Sequence, residues 1–256
     1  FNRREITIAP EYHPGTIVPP AMIMIQETTT DRMKTTREQL LEIYRLLLDF
    51  FGPQHWWPGE TPFEIALGAV LTQNTSWSNV ERAIANLKAA NLLDAGRLHS
   101  LDIERLETLI RPAGYFRVKA KRLRNFTTWL CDRCDGDMQN LAPVATGRLR
   151  EELLAISGIG PETADSILLY ALDRPIFVVD TYTARVMVRH GLIAPEGIDY
   201  HQLQDLFTSN LEPDVPLFNE FHALLVMAGK DYCKPRPKCQ SCPLNPLPHH
   251  IEIESE

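Results

Sequence analysis

The sequence has few features of a membrane protein, an exported protein or a basic protein that coats nucleic acid. No apolar run approaches the roughly 20 residues of a membrane-spanning helix. No basic segment followed by an apolar stretch opens the chain, so we expect no export and a cytoplasmic location. The 33 acidic residues outnumber the 26 basic ones, giving a net charge of −7, which argues against nonspecific coating of nucleic acid. Cysteine is limited to five residues, and free cysteines agree with a reducing compartment.

The apolar residues that are present recur with helical spacing. With 256 residues, 44% of them hydrophobic, the chain can bury one or two closely packed domains. Apolar residues three and four positions apart predict helices separated by short polar turns, so we expect an all-α protein. Residues 1–35 contain several prolines, and we expect them to form a loosely ordered N-terminal extension. The helices predicted up to residue 156 span 36–52, 63–71, 79–91, 102–110, 119–134 and 147–156.

A glycine-rich turn at 157–161 organises the centre of the chain. Gly158 and Gly160 permit positive φ and a close approach of another backbone. Pro161 suits the first position of the following helix, and amides at such a helix start can hold a phosphate. An apolar run then leads to Asp180, which opens a further predicted helix.

Two motifs resemble those of the endonuclease III superfamily of DNA glycosylases: L-x-x-I-x-G-I-G-x-x-T-A-D at 153–165 and V-V-D-T at 178–181. The resemblance implies a two-domain, all-α helix-hairpin-helix glycosylase fold, a monomer, and double-stranded DNA as the partner. The implied domains are a helical barrel at 63–177 and a second helical domain made of 36–62 plus 178–256, with the active site between them. The hairpin residues implied to contact DNA are Gly158, Ile159, Gly160 and Thr163.

Three further segments resemble one branch of that superfamily, 3-methyladenine DNA glycosylase III: W-W-P at 56–58, L-T-Q-N-T at 71–75 and R-P-A-G-Y-F-x-x-K-A-K-R-L at 111–123. In that branch the aromatic residues and the proline line a pocket for the flipped-out base. An indole face gains a cation–π interaction of about 0.5–2 kcal/mol with a cationic alkylated purine over a neutral base. The alternative is that the tryptophans only cap the core. The implied base-pocket residues are Trp56, Trp57, Pro58, Trp77 and Lys230.

The remaining implied DNA contacts lie on the L-T-Q-N-T turn and on a basic segment. In the resembled family the glutamine of this turn fills the gap that an extruded nucleotide leaves in the duplex, although helix capping is an alternative role. The segment 111–124 has six basic residues and no acid, so DNA binding through it would be salt-sensitive. A solvated helix face is the alternative. The residues implied to contact DNA are Gln73, Asn74, Lys119, Lys121 and Arg122.

Asp180 is the expected catalytic residue. An ionised carboxylate beside C1′ can stabilise an oxocarbenium-like sugar and orient the attacking water, and a helix N-terminus favours ionisation. A simple N-cap is the alternative. Bifunctional members of the superfamily carry a lysine directly before the Thr-Ala of the hairpin helix, where this chain has Glu162. A carboxylate cannot form the Schiff base that strand cleavage needs, so we predict a glycosylase without lyase activity unless Lys230 takes that role.

These observations predict hydrolysis of the N-glycosidic bond of a damaged base flipped out of duplex DNA, as in base excision repair. The expected substrate is an alkylated purine such as 3-methyladenine. One alternative is a glycosylase, with or without lyase activity, for oxidised pyrimidines or mismatched uracil and thymine. Another is a noncatalytic helix-hairpin-helix DNA-binding module. The tryptophans disfavour the first alternative, and Asp180 together with the aromatic pocket argues against the second.

The C-terminal cysteines form the run C-K-P-R-P-K-C-Q-S-C-P-L at 233–244, whose compact, proline-rich spacing is typical of a cluster-binding loop. The resemblance implies a [4Fe–4S] cluster held by four cysteines, but Pro248 occupies the place expected for the fourth. We predict that His249 replaces it, and the alternatives are His250 or loss of the cluster. Cys131 and Cys134 are expected to be free thiols. The predicted metal ligands are therefore Cys233, Cys239, Cys242 and His249.

Overall fold

A computed structural model describes residues 34–250, which form α-helices and turns without a β-strand in that range. This confirms the all-α prediction. The expectation for residues 1–35 falls almost wholly outside the described range. No helix between residues 34 and 250 is long and apolar enough to cross a membrane. The helices are α1 Thr36–Phe51, α2 Pro62–Leu71, α3 Trp77–Ala89, α4 Ala95–Ser100, α5 Ile103–Leu109, α6 Phe116–Cys134, α7 Thr146–Ala155, α8 Pro161–Ser166, α9 Thr181–Arg189, α10 Tyr200–Thr208 and α11 Val215–Asp231.

Local capping sets where most of these helices begin. At the start of α1, Thr35 and Glu38 form a capping box, and Gly52 with φ +70° ends that helix. The six helices predicted up to residue 156 match observed ones within three residues at each end. Helix α4 was missed because six residues are too few for a periodic pattern. Its only clear sequence signal is Asp94, whose carboxylate accepts the Arg97 amide at 2.8 Å.

The described residues pack as one compact unit that contains two hydrophobic clusters. The first cluster is built from the buried faces of α2 to α8, from Phe63 to Ala171. The second joins α1 to α9, α10 and α11 through Phe177 and its neighbours. The boundary between the clusters falls near the predicted domain boundary. The division into two domains itself stays a prediction.

The hairpin consists of α7, the turn and α8, which continues as a π-helical turn over Ile167–Ala171. Gly158 has φ +96°, and a Cβ there would lie 2.4 Å from Cγ of Arg122, so both conformation and packing require glycine. Gly160 has φ −94°, so the freedom of positive φ expected there is not used. Only the first of the two glycines is needed for its conformation.

A buried polar network anchors the hairpin to the segment that carries Asp180. Arg150 on α7 donates two hydrogen bonds to the buried carboxylate of Asp165 on α8, at 2.7 and 3.0 Å. From α10, Nε2 of Gln204 donates to Asp165 at 2.8 Å and to the carbonyl oxygen of Phe177 at 2.7 Å. Because Phe177 lies three residues before Asp180, this network sets the position of Asp180 relative to the hairpin.

Candidate active site

Asp180 lies at the N-terminus of α9 in an extended conformation. Its Oδ1 atom accepts hydrogen bonds from the amide nitrogen and the hydroxyl of Thr183, at 2.7 and 2.9 Å. The side chain is only 12% exposed. The residue is therefore an N-cap, as the local interpretation predicted, but its other oxygen, Oδ2, takes no part in the cap.

Oδ2 of Asp180 faces a histidine that the sequence analysis did not single out. Nε2 of His222, on α11, lies 3.8 Å away, which is close enough for electrostatic interaction but too long for a hydrogen bond. Nδ1 of His222 is hydrogen-bonded to the hydroxyl of Tyr170, in the π-helical turn. His222 and Tyr170 are both buried. A lone histidine in an apolar helix gives no sequence signal for this contact, because its partners are distant along the chain.

The charges in this region shift three pKa values. Burial acts to raise the pKa of Asp180, but the interactions with His222 and Thr183 outweigh burial and lower it below its usual value. Burial raises the pKa of Tyr170 well above its usual value, and the charge of Asp180 adds to the effect. Desolvation raises the pKa of Glu162, with a contribution from Asp180 that His222 opposes. The site therefore favours an ionised Asp180 beside a protonated tyrosine hydroxyl.

A cluster of three tryptophans contacts Tyr170, the hydrogen-bond partner of His222. The ring centroids of Trp57 and Tyr170 are 5.1 Å apart, and Trp57 meets Trp77 edge to face at 5.3 Å. Trp56 also meets Trp57 edge to face, at 5.8 Å. Trp56 and Trp77 are thus each roughly perpendicular to Trp57. The cluster therefore offers indole faces in more than one orientation.

Two further details describe how the cluster is packed. The Nε1 atoms of Trp56 and Trp57 are buried without a hydrogen-bond partner among the described residues. Such unpaired donors are uncommon in a region that only stabilises a fold. Gly68 on α2 makes room for the ring of Trp57, since a Cβ there would lie 3.0 Å from the indole nitrogen. Pro58 is exposed beside the cluster.

Four of the residues predicted to contact DNA lie together at the hairpin. Nε2 of Gln73 donates to the hydroxyl of Thr163 at 2.8 Å and to the carbonyl oxygen of Gly158 at 3.2 Å. Arg122 donates to Oε1 of Gln73. Asn74, the next residue, is exposed and has φ +53°. The hairpin and Arg122 of α6 together satisfy the hydrogen-bonding groups of Gln73.

Two other residues predicted to contact DNA, Lys119 and Ile159, have buried side chains. Lys119 is 1% exposed, and its Nζ donates to the carbonyl oxygens of Leu71 and Ala113 at 2.8 and 2.7 Å. Its side chain cannot reach a phosphate here, and burial lowers its pKa to about 8. The side chain of Ile159 is buried, and its amide donates to Ile156 at 3.0 Å. The Lys119 side chain therefore does not face DNA in this conformation, and a contact between Ile159 and DNA stays a prediction.

The basic segment is therefore less available to DNA than its composition indicates. Besides Lys119, Arg124 is used internally, donating to the carbonyl oxygens of His99 and Leu101. Lys121 is exposed. Lys230 is exposed near the end of α11, eight residues beyond His222, which corresponds to roughly 12 Å along the helix axis. The structure shows no contact between Lys230 and Asp180.

The C-terminal cysteines and His249 line one cavity, together with Arg189 and His190. Nη1 of Arg189 donates to the sulfur of Cys233 at 3.3 Å, and Nδ1 of His249 is 2.8 Å from the carbonyl oxygen of Leu247. No group of three or more His, Cys, Asp or Glu side chains in residues 34–250 is positioned to hold a metal ion. Thiolate sulfur and imidazole nitrogen are nevertheless the donor types that hold iron–sulfur clusters.

Comparison with known proteins agrees with this geometry. Residues 67–213, more than half of the chain, match the family model described as "HhH-GPD superfamily base excision DNA repair protein". The chain belongs to the HhH-GPD superfamily. This confirms the resemblance to endonuclease III relatives and the helix-hairpin-helix glycosylase fold, and makes the protein a DNA glycosylase that binds DNA.

Individual members of the HhH-GPD superfamily match most of the chain. The protein of Methanocaldococcus jannaschii named "Putative DNA repair glycosylase MJ1434" is 47% identical over 209 residues, covering 81% of this chain and 94% of the relative. The crystal structure of Helicobacter pylori 3-methyladenine DNA glycosylase (MagIII) bound to 1,N6-ethenoadenine has a TM-score of 0.65 at 30% identity. The match covers 77% of this chain and 98% of that chain. A non-covalent endonuclease III–DNA complex has a TM-score of 0.71 at 24% identity. The match covers 84% of this chain and 95% of that chain, and it shows that the fold is shared.

Proposed function

We propose that this member of the superfamily is a monofunctional glycosylase that releases a cationic alkylated purine, such as 3-methyladenine, from duplex DNA. The observation that carries the proposal is the meeting of the aromatic cluster with Asp180 through Tyr170 and His222. The 30% identity to the 3-methyladenine glycosylase of Helicobacter pylori, solved with an adenine derivative bound, supports the substrate class.

The proposed reaction begins when the damaged nucleotide leaves the duplex and its base stacks on an indole of Trp57 or Trp77. The positive charge on the alkylated ring attracts it to the indole face more strongly than a neutral base. Gln73 moves from the hairpin to fill the gap in the duplex. Gly158, Gly160 and Thr163 face the DNA backbone.

Bond cleavage needs little help at the base, because an alkylated purine already carries a positive charge. The electron pair of the C1′–N bond moves to the purine, which leaves as a neutral base. The sugar becomes oxocarbenium-like, and ionised Asp180 stabilises that charge in a site that is largely shielded from water. A water molecule then adds to C1′ and gives its proton to Asp180.

The absence of lyase activity is proposed from Glu162. This carboxylate occupies the position where bifunctional relatives are expected to carry a lysine, and it cannot form a Schiff base with C1′. The other candidate lysine, Lys230, is exposed and about two helical turns beyond His222. The product is therefore an intact strand with an abasic site.

We also retain the proposal of a [4Fe–4S] cluster held by Cys233, Cys239, Cys242 and His249. It rests on the donor types that line one cavity, and the base-release steps above do not depend on it. Iron and sulfide analysis of protein purified without oxygen tests it directly. Four irons per chain and a broad visible absorption are expected, and iron-free protein with full activity would overturn the proposal.

A panel of duplexes with one lesion each tests the proposed function. Each duplex is incubated with the protein and scored for abasic sites, with and without alkali. We expect release of 3-methyladenine to be fastest and strand breaks to appear only after alkali. Faster release of oxidised pyrimidines or of mismatched uracil and thymine would overturn the substrate class. Release from none of the duplexes would overturn the proposed function.

A further inference from the structure

The contact between His222 and Asp180 leaves one buried polar atom without a partner. Nε2 of His222 has no hydrogen bond among the described residues, although the residue is only 4% exposed. It lies 3.8 Å from Oδ2 of Asp180, the carboxylate oxygen that the helix cap does not use. A buried, unpaired nitrogen directed at the reacting carboxylate requires an explanation, because leaving such a group unpaired costs free energy.

The hydroxyl of Tyr170 decides which nitrogen of the imidazole carries the proton. This hydroxyl is buried, and Nδ1 of His222 is its only hydrogen-bond partner in the described part of the chain. If Nδ1 were protonated, the hydroxyl proton would have no acceptor, so the hydroxyl donates to an unprotonated Nδ1. The ring proton is then on Nε2 and faces Asp180.

We propose that His222 is a positioning residue for base release: held by Tyr170 with its Nε2–H directed at Asp180, it orients Oδ2 of Asp180 toward C1′. The inference rests on the proposed function, since it concerns the same reaction. The Nε2–Oδ2 distance of 3.8 Å is longer than a hydrogen bond, and we expect it to shorten when the damaged nucleotide binds.

No other group nearby is placed to do the same work. The titratable groups that face His222 are Tyr170 from the π-helical turn, Asp180 from the start of α9 and Glu162 from α8. Glu162 is a carboxylate and would repel Asp180. Helix α1 also packs on α11, but its Tyr44 contacts Phe221 rather than His222.

The test compares His222→Leu with His222→Gln. Leucine fills similar space without a donor. Glutamine reproduces both ends of the imidazole, because its carbonyl oxygen can accept from Tyr170 and its amide can donate to Asp180. Single-turnover release of labelled methylpurines from methylated duplex DNA is measured across pH 4.5–9, and thermal unfolding is measured for each variant.

For His222→Leu we expect a loss of roughly 10²-fold in the release rate, because Asp180 is no longer held in position. The acidic limb of the pH profile should move to higher pH, because Asp180 loses a partner that lowers its pKa. His222→Gln should restore most of the rate and the position of the limb. Leu224→Ala, in the core on the same helix, should lower the unfolding temperature without moving the limb. Tyr170→Phe should move the limb in the same direction as His222→Leu, but less.

An unmoved acidic limb in His222→Leu, or failure of His222→Gln to rescue it, would overturn the inference. These results differ from failure of the proposed function, in which wild-type protein releases no methylpurine at all. A second measurement does not depend on activity. ¹⁵N spectra of histidine-labelled protein at pH 8 should show the Nε2-protonated tautomer for His222, and the Nδ1-protonated tautomer would contradict the proposal.

Discussion

The indole of Trp57 packs against the ring of Tyr170 at a centroid separation of 5.1 Å, with the two planes tilted by 40°. Trp57 belongs to the segment before α2, whereas Tyr170 belongs to the turn after the hairpin helix. Tyr170 also binds His222 beside Asp180. One tyrosine therefore contacts both the proposed base-stacking surface and the group that faces the proposed catalytic carboxylate, and this arrangement leads to distinct predictions for each part.

The first prediction concerns the aromatic cluster. Trp77→Ala should slow the release of a cationic alkylpurine more than that of a neutral base, by an extra factor of roughly 2 to 30, because only the cationic base loses a cation–π interaction. Single-turnover rates on paired duplexes measure this difference. Trp129→Ala is the matched control, since Trp129 stacks on Phe126 in α6. If Trp77→Ala slowed the release of both bases by the same factor, Trp77 would only pack in the core and would not recognise the charged base.

The second prediction concerns the covalent chemistry. Borohydride should trap no enzyme–DNA adduct, because this chain has Glu162 where bifunctional relatives carry a lysine. A carboxylate cannot form the Schiff base that borohydride reduces. Denaturing gels after incubation with borohydride and a lesion duplex measure this directly. Glu162→Gln should behave in the same way, whereas Lys230→Ala identifies the amine if trapping does occur. Efficient trapping that Lys230→Ala abolishes would disprove the monofunctional proposal.

The third prediction separates two lysines that look alike in the sequence. Lys121→Met should reduce the slope of log K against log salt for DNA binding by about 0.9, the effect of one lost phosphate contact. Lys119→Met should leave that slope unchanged. It should instead lower the free energy of unfolding by about 1–3 kcal/mol, because the carbonyl oxygens of Leu71 and Ala113 lose their buried partner.

Binding titrations at several salt concentrations and urea unfolding measure the two effects. Lys119→Met is also expected to weaken DNA binding, since the carbonyl of Leu71 lies just before the turn that holds Gln73. That weakening should be the same at all salt concentrations. A reduced salt slope in Lys119→Met would show that this lysine reaches DNA after all.

The sequence predicted best what depends on neighbours along the chain. Helix ends, the hairpin turn at Gly158 and the N-cap at Asp180 follow from local rules of capping and glycine conformation. Long-range contacts were not predictable in this way. His222 is 42 positions after Asp180, and Lys119 lies 48 positions after the carbonyl of Leu71 that it binds. Basic composition alone could not distinguish a buried lysine from a solvated one.

The aromatic cluster shows the same division. The resemblance of W-W-P and Trp77 to the 3-methyladenine DNA glycosylase III branch implied that these residues share one pocket, and the structure brings the three tryptophans together. The angle between rings depends on how α2 and α3 pack, and in particular on Gly68, whose missing Cβ admits Trp57. The ring angles therefore depend on tertiary packing, which the sequence motifs do not determine.

Single-turnover release of 3-methyladenine by Asp180→Asn tests the central claim most directly. Asparagine is also a good N-cap, so the variant should fold with an unfolding temperature close to that of the wild type. We expect release to fall by at least about 10²-fold, because the carboxylate that stabilises the oxocarbenium-like sugar is lost. DNA binding, measured by fluorescence anisotropy, should be unchanged or tighter. A variant that binds DNA and releases the base at the wild-type rate would show that Asp180 only caps its helix, and would contradict the account.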